Sequence, residues 1–220
     1  MKDIFTGLGY RYSAYGEEDA PILILHHGGE EEDYSSYEDY FKAHQILFIK
    51  IQGNKWERDF SPFPCSKVFR GGKDFQGGAE SYRKKFVSEV VPFLLVHYSL
   101  TPDRIILSGY SLAGLFALYA SQCSLFTDIN SVSGSLWFPD YVESLKMQKV
   151  YANNIYLSIG DRESVSRSPI LQTGVEKQKK AYQKLVAKKK NVTLVLEKGG
   201  HFDNPEKRVL HGIEWLLKQK

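Results

Sequence analysis

Arg104-Ile105-Ile106-Leu107-Ser108-Gly109-Tyr110-Ser111-Leu112-Ala113-Gly114-Leu115-Phe116-Ala117-Leu118 joins a short apolar run, a serine with small residues two positions away on either side, and a second apolar run of helical character. Read locally, it is a strand, a sharp turn and a helix, which is the setting a nucleophile elbow requires. In such a turn Ser111 takes a strained backbone conformation that projects its hydroxyl from the sheet. Gly109 and Ala113 have to be small because strand and helix backbones approach closely there. The second small position holds alanine where glycine is commoner, and Gly114 follows it. The competing reading is an ordinary strand-to-helix turn in which Ser111 caps the helix, and residues elsewhere in the chain decide between the two.

Outward from this stretch, apolar runs alternate with helical periods. Pro21 to Leu25 and Gln45 to Ile51 have the continuous apolar character of strands buried on both faces, and Asp128 to Ser133, Asn154 to Ile159 and Val192 to Leu196 add three more strands. Tyr10, Tyr12 and Tyr15, punctuated by Gly9 and Gly16, predict an edge strand or hairpin. Helical spacing covers Glu80 to Tyr98, with a kink expected at Pro92, and then Gln172 to Lys189 and the segment from Pro205 onward. The alternation predicts an α/β fold with a mostly parallel central sheet and helices on both faces. No repeat or domain-splitting linker is visible, so residues 1–220 are expected to form a single domain. Residues 52–78 carry Trp56, Arg58, two Gly-Gly pairs and no regular period, and are expected to be an irregular substrate loop.

Composition narrows the functional classes. Hydrophobic residues at 42% and charged residues at 25% are globular values. A net charge of +3 is too small to point to nucleic acid, and the basic run from Lys177 to Lys190 reads as the solvated face of an amphipathic helix. Met1 to Thr6 lacks the apolar run of a signal peptide and no stretch is long enough to span a membrane, so a cytoplasmic location is expected. Cys65 and Cys123 suggest neither a disulfide framework nor a metal-ligand spacing.

Loops past the carboxyl ends of the strands hold a serine, an acid and a histidine in the order nucleophile, acid, base. Ser111 is the candidate nucleophile. Of the six histidines, His201 alone falls in the loop between the last strand and the last helix, after Gly199-Gly200, and is the candidate general base. Gly160-Asp161-Arg162-Glu163 offers two acids; Glu163, three residues past the glycine, is favoured, with Asp161 as the alternative. The backbone N–H of Leu112 and that of Gly29, or of Gly28, would form an oxyanion hole. His26 and His27, before these glycines, suit a loop-shaping role.

The elbow at 109–118, Ser-Gly-Ser-Leu-Trp-Phe at 133–138, Gly-Asp-Arg-Glu at 160–163 and Gly-Gly-His at 199–201 together resemble the esterase D and siderophore-esterase group of α/β-hydrolases. The loop from Trp56 to Pro64, with Phe75-Gln76-Gly77-Gly78-Ala79, is similar to loops of hydrolases in that group. The resemblance spans about residues 20–215. It implies the α/β-hydrolase fold and serine-dependent hydrolysis of a carboxylic ester through an acyl-enzyme, with no cofactor and no metal. Ala113 in place of the usual glycine, and a short chain with little room for a lid, depart from the group. On this reading Trp56, Arg58, Tyr110 and Trp137 border a pocket for a small-molecule ester, with no nucleic-acid or membrane partner. An acyltransferase with the same triad, or a non-catalytic binding protein on this fold, are the alternatives.

Overall fold

The computed structural model describes residues 3–68 and 71–219. Strands β1 (Asp3–Gly7) and β2 (Tyr10–Gly16) form the expected antiparallel hairpin, turning through Leu8 and Gly9, both at positive φ. After them come β3 (Ile22–His27), helix α1 (Glu38–Ala43) and β4 (Ile46–Gln52). The segment expected to be irregular contains a one-turn helix, α2 (Trp56–Asp59), and a two-residue ladder between β5 (Pro64–Cys65) and β6 (Phe75–Gln76). Such pieces are too short to leave a period in the sequence.

Helix α3 (Ala79–Lys85) continues into α4 (Val91–His97), but the irregularity expected at Pro92 is a π-helical turn over Phe86–Val90 rather than a simple kink. Proline has no N–H for the carbonyl one turn earlier. The chain widens just before it, and the Val91 N–H reaches back to the Phe86 carbonyl. Next come β7 (Arg104–Tyr110), α5 (Leu112–Ala120), β8 (Asp128–Val132), α6 (Tyr141–Ser144) and β9 (Asn154–Gly160). The remainder is α7 (Pro169–Gln172), α8 (Gly174–Ala187), β10 (Asn191–Glu197) and α9 (Pro205–Leu217).

Eight strands form one sheet in the order β1-β2-β4-β3-β7-β8-β9-β10, antiparallel at the first two pairings and parallel from β4 to β10. Successive side chains of the central strands bury on opposite faces, as a pleated strand requires. Leu23, Leu25, Ile105 and Leu107 join the core beneath α5, which also takes Phe86, Phe116 and Leu185. Ile24, Phe48 and Ile106 meet Phe41 of α1 and Val209, Ile213 and Leu216 of α9 on the other face. Both faces are covered, which is why the inner strands read as continuous apolar runs. The strand order reverses at β3 and β7, and a crevice opens at their carboxyl ends, where ligands bind in such sheets. Among the described residues, no helix is long and apolar enough to cross a membrane.

Candidate active site

Ser111 sits between β7 and α5 with φ 60° and ψ −123°, a strained conformation for a residue with a side chain. Its N–H donates to the Val132 carbonyl at 3.0 Å, and its own carbonyl accepts from Leu115 at 3.1 Å and Ser135 at 3.0 Å. The strain is held from three sides. A Cβ on Gly109 would overlap the Ala113 carbonyl and lie 2.8 Å from the Gly114 nitrogen. A Cβ on Gly114 would come within 2.9 Å of the Gly109 carbonyl oxygen and 3.0 Å of the Gly134 Cα. The close helix approach therefore falls at Gly114, and the methyl group of Ala113 is accommodated in the core.

The histidine and acid converge on this serine from the loops after β10 and β9. His201 Nε2 lies 2.9 Å from Ser111 Oγ, and His201 Nδ1 lies 2.7 Å from Glu163 Oε2. With Nδ1–H donating to the carboxylate, Nε2 accepts the hydrogen bond of the Ser111 hydroxyl. Asp161, the alternative acid, is instead exposed and accepts the Gly199 N–H at 2.8 Å, so it shapes the histidine loop from outside. Tyr110, expected to line the pocket, does so, and its hydroxyl also donates to the His201 carbonyl at 2.6 Å. Burial pushes the Glu163 carboxyl up, but the hydrogen bond and charge of His201, the Gly160 N–H and the Ser133 hydroxyl outweigh it and hold the group below the ordinary carboxylate value. Glu163 Oε1 also meets the buried Arg208 guanidinium at 3.1 Å.

The oxyanion donors need one correction. Leu112 opens α5, where first-turn N–H groups have no intrahelical acceptor and the helix dipole favours an anion. Gly29, however, donates its N–H to Glu32 Oε1 at 2.7 Å. The acidic loop folds its own carboxylate back on the turn, so the expectation of a free Gly29 donor is not met, although Gly29 itself lines the cavity. A Cβ on Gly28 would overlap the Glu32 carboxylate and lie 2.5 Å from His26 Nε2, so a side chain there would displace the Glu32–His26 pair. His26 holds this loop from within β3, through Glu32. It is the next-to-last residue of β3 and sits in a buried network, with Nδ1 2.9 Å from Ser108 Oγ and Nε2 2.9 Å from Glu32 Oε2. Burial raises the Glu32 carboxyl, and the bonds and charge of His26 with those from Gly29 and Tyr34 bring it below its ordinary value.

Above these groups opens a cavity of about 790 Å³, lined by Ser111, His201, Trp56, Tyr110 and Trp137 as expected. Arg58 is not among its lining residues. Its guanidinium pairs with the neighbouring, buried Asp59 at 2.8 Å, so it orders the loop instead of facing substrate. Among the described residues, the cations that line the cavity are Lys67, Lys73 and Arg162, and Phe75, Ile159 and the exposed Phe202 add apolar wall. Sequence reasoning missed these, because nothing local distinguishes a loop lysine that faces a cavity from one that faces water. Among the described residues, no group of three or more His, Cys, Asp or Glu side chains is arranged to hold a metal ion.

Comparison with known proteins gives a consistent picture. The model of the Esterase family, described as "Putative esterase", matches residues 4–202. The chain is 25% identical over 183 residues to the "Uncharacterized protein YbbA" of Bacillus subtilis, covering 78% of this chain and 73% of that protein. In three dimensions it resembles an IroE-like serine hydrolase from Shewanella oneidensis, with a TM-score of 0.76 and 16% identity over 99% of this chain and 80% of the other. It also resembles the siderophore hydrolase EstA from Aspergillus nidulans, with a TM-score of 0.70 and 18% identity over 99% of this chain and 93% of the other. Likenesses at these identities show the fold, which is that of the α/β-hydrolases.

Proposed function

The chain belongs to the Esterase family, and from that premise we propose that Ser111, His201 and Glu163 act as a catalytic triad that hydrolyses a small-molecule carboxylic ester through an acyl-enzyme. The observation that carries this reading is the unbroken chain of hydrogen bonds from Ser111 Oγ through His201 to Glu163, at 2.9 and 2.7 Å, on the floor of the cavity.

His201 takes the serine proton as Ser111 Oγ attacks the ester carbonyl, and Glu163 holds the imidazole in the required tautomer and stabilises the imidazolium. The developing oxyanion is met by the N–H of Leu112 at the start of α5, with the glycine turn at Gly28 and Gly29 supplying the second donor. Collapse of the tetrahedral intermediate expels the alcohol with the proton from His201. Water then enters, is deprotonated by the same imidazole and releases the acid. Trp56, Phe75 and Trp137 give the acyl group aromatic faces, and a cavity of about 790 Å³ suits a ligand of several hundred daltons. The siderophore hydrolase among the structural relatives makes bulky esters the first class to screen. On this reading the whole chain acts as one catalytic domain.

Hydrolysis of p-nitrophenyl acetate and butyrate by the native protein and by Ser111→Ala tests the proposal. The rate is expected to fall by at least ~10³-fold in a variant that remains folded. A folded variant that keeps its activity overturns the reading. Addition of alcohol acceptors to the same assay distinguishes hydrolysis, which yields the free acid, from acyl transfer, which yields a new ester.

A further inference from the structure

Arg208 lies on α9, outside every loop that the elbow, acid and histidine motifs mark, and only 2% of it is exposed. Its guanidinium reaches the ends of four strands. Nη1 donates to Glu163 Oε1 at 3.1 Å, to Ser133 Oγ at 3.0 Å and to the Tyr110 hydroxyl at 3.3 Å. Nη2 donates to the Lys198 carbonyl at 3.1 Å and the Gly200 carbonyl at 2.8 Å. Tyr110 in turn donates to the His201 carbonyl, so Arg208 holds the histidine loop at residues 198 and 200 directly and at 201 through one hydroxyl.

We propose that Arg208 is a positioning residue for the hydrolytic reaction, holding the Glu163 carboxylate turned toward His201 while clamping the loop that carries His201. The proposal rests on the Ser111–His201–Glu163 reading and adds a residue to it. The two oxygens of Glu163 divide the work. Oε1 is anchored by Arg208 and by the Gly160 N–H at 2.7 Å, which leaves Oε2 for His201. A planar fork of donors can serve a carboxylate and backbone carbonyls at once, which the ammonium of lysine cannot do in the same geometry. The charge matters as well. Glu163 places a negative charge beside the imidazole and Arg208 a positive one behind that carboxylate, so the two fields oppose one another at the ring. Among the described residues, the charged and titratable groups around the cluster are Glu163, His201 and Tyr110, Tyr156 of β9 with its hydroxyl on Glu197, Asp161 bonded to the Gly199 N–H, and the Arg162–Asp203 pair at the surface.

The test compares native protein, Arg208→Met and Arg208→Lys for kcat, KM and the pH profile of p-nitrophenyl butyrate hydrolysis, with folded fraction measured by circular dichroism. Arg208→Met is expected to lose about 10- to 100-fold in kcat with little change in KM. Its acid limb should move to higher pH, because the unopposed carboxylate makes the base harder to free of its proton. Arg208→Lys keeps the charge, so its acid limb should stay near the native one while kcat falls to an intermediate value. An unshifted acid limb in Arg208→Met, with a loss of rate no greater than the loss of folded protein, overturns the proposal and leaves Arg208 a structural brace. Should Arg208→Met not fold, native kcat in Arg208→Lys overturns it equally. Labelling by a fluorophosphonate probe, present in native protein and absent in Ser111→Ala, reports on the underlying triad separately. If native protein is not labelled at Ser111, the triad reading fails and this proposal with it; normal labelling with native kinetics in the Arg208 variants overturns this proposal alone.

Discussion

Replacing His27 with glutamine should flatten the acid sensitivity of this fold by an amount that follows from the burial of one ring. His27 ends β3 with 1% of its surface exposed, its Nε2 2.8 Å from the Tyr82 hydroxyl and its ring packed edge-on against Phe60, Tyr82, Phe86 and Phe116. Burial, and then the neighbouring His26, lower its pKa from 6.5 to about 3. The folded pKa of this base is depressed, so the unfolded chain binds a proton that the native ring refuses. The stability the neutral ring contributes is complete above pH 6.5 and is lost as pH falls from there toward 3. From pH 7 to pH 5 that loss comes to about 2 kcal/mol. A glutamine amide does not titrate and can still meet the Tyr82 hydroxyl, so the variant should lack this component whatever it costs at neutral pH. Urea unfolding of both proteins at pH 7 and pH 5 measures it as a difference of differences, in which contributions from other groups cancel. If the two proteins lose equal stability over that interval, His27 is not held neutral and the reasoning fails.

The two acids after β9 separate by their partners. Glu163→Gln, which removes the carboxylate bonded to His201, should lower kcat/KM for p-nitrophenyl esters by about 10³- to 10⁴-fold, whereas Asp161→Asn, whose side chain accepts the Gly199 N–H, should cost less than about tenfold. Equal losses in the two variants would contradict that assignment. Gly109→Ala forces a methyl group into the Ala113 carbonyl, and thermal or urea unfolding should register a loss of about 3 kcal/mol or more; a variant of native stability would mean that the elbow is looser than the contacts require. Arg58→Ala should leave KM for anionic esters within about threefold of native, since Arg58 faces Asp59 and not the cavity; a larger rise in KM would return it to the substrate.

The fold was legible because its signals are local. Ile22–His27, Ile46–Gln52 and Arg104–Tyr110 are apolar without alternation, and strands of that kind need cover on both faces, which the helices between them supply. The tyrosine-rich opening read as a hairpin because Gly9 and Gly16 punctuate it, and both adopt positive φ. Where the reading went wrong, the structure depends on backbone bonds that no side-chain period reports. The π turn at Phe86–Val90 follows from a proline two residues beyond its end, and the one-turn helix at Trp56–Asp59 is shorter than any window in which a period can be counted.

By itself, the sequence determined which loops hold the candidate residues. Small residues around Ser111, paired glycines before His201 and after His27, and a two-acid turn after β9 are all statements about neighbours along the chain. The tertiary structure decided which of these groups touch. Glu163 and not Asp161 meets an imidazole 38 residues away, because the parallel register of β9 and β10 sets Gly160 beside Glu197 and brings the two loops together. The same packing engages the Gly29 N–H with Glu32 and turns Arg58 toward Asp59. It also delivers Arg208 from the last helix to the back of the carboxylate. Spacing along a chain limits how a strand or helix presents its residues. Strand register and the side-chain rotamers packed around it select one partner among several within reach, and those are properties of the folded whole.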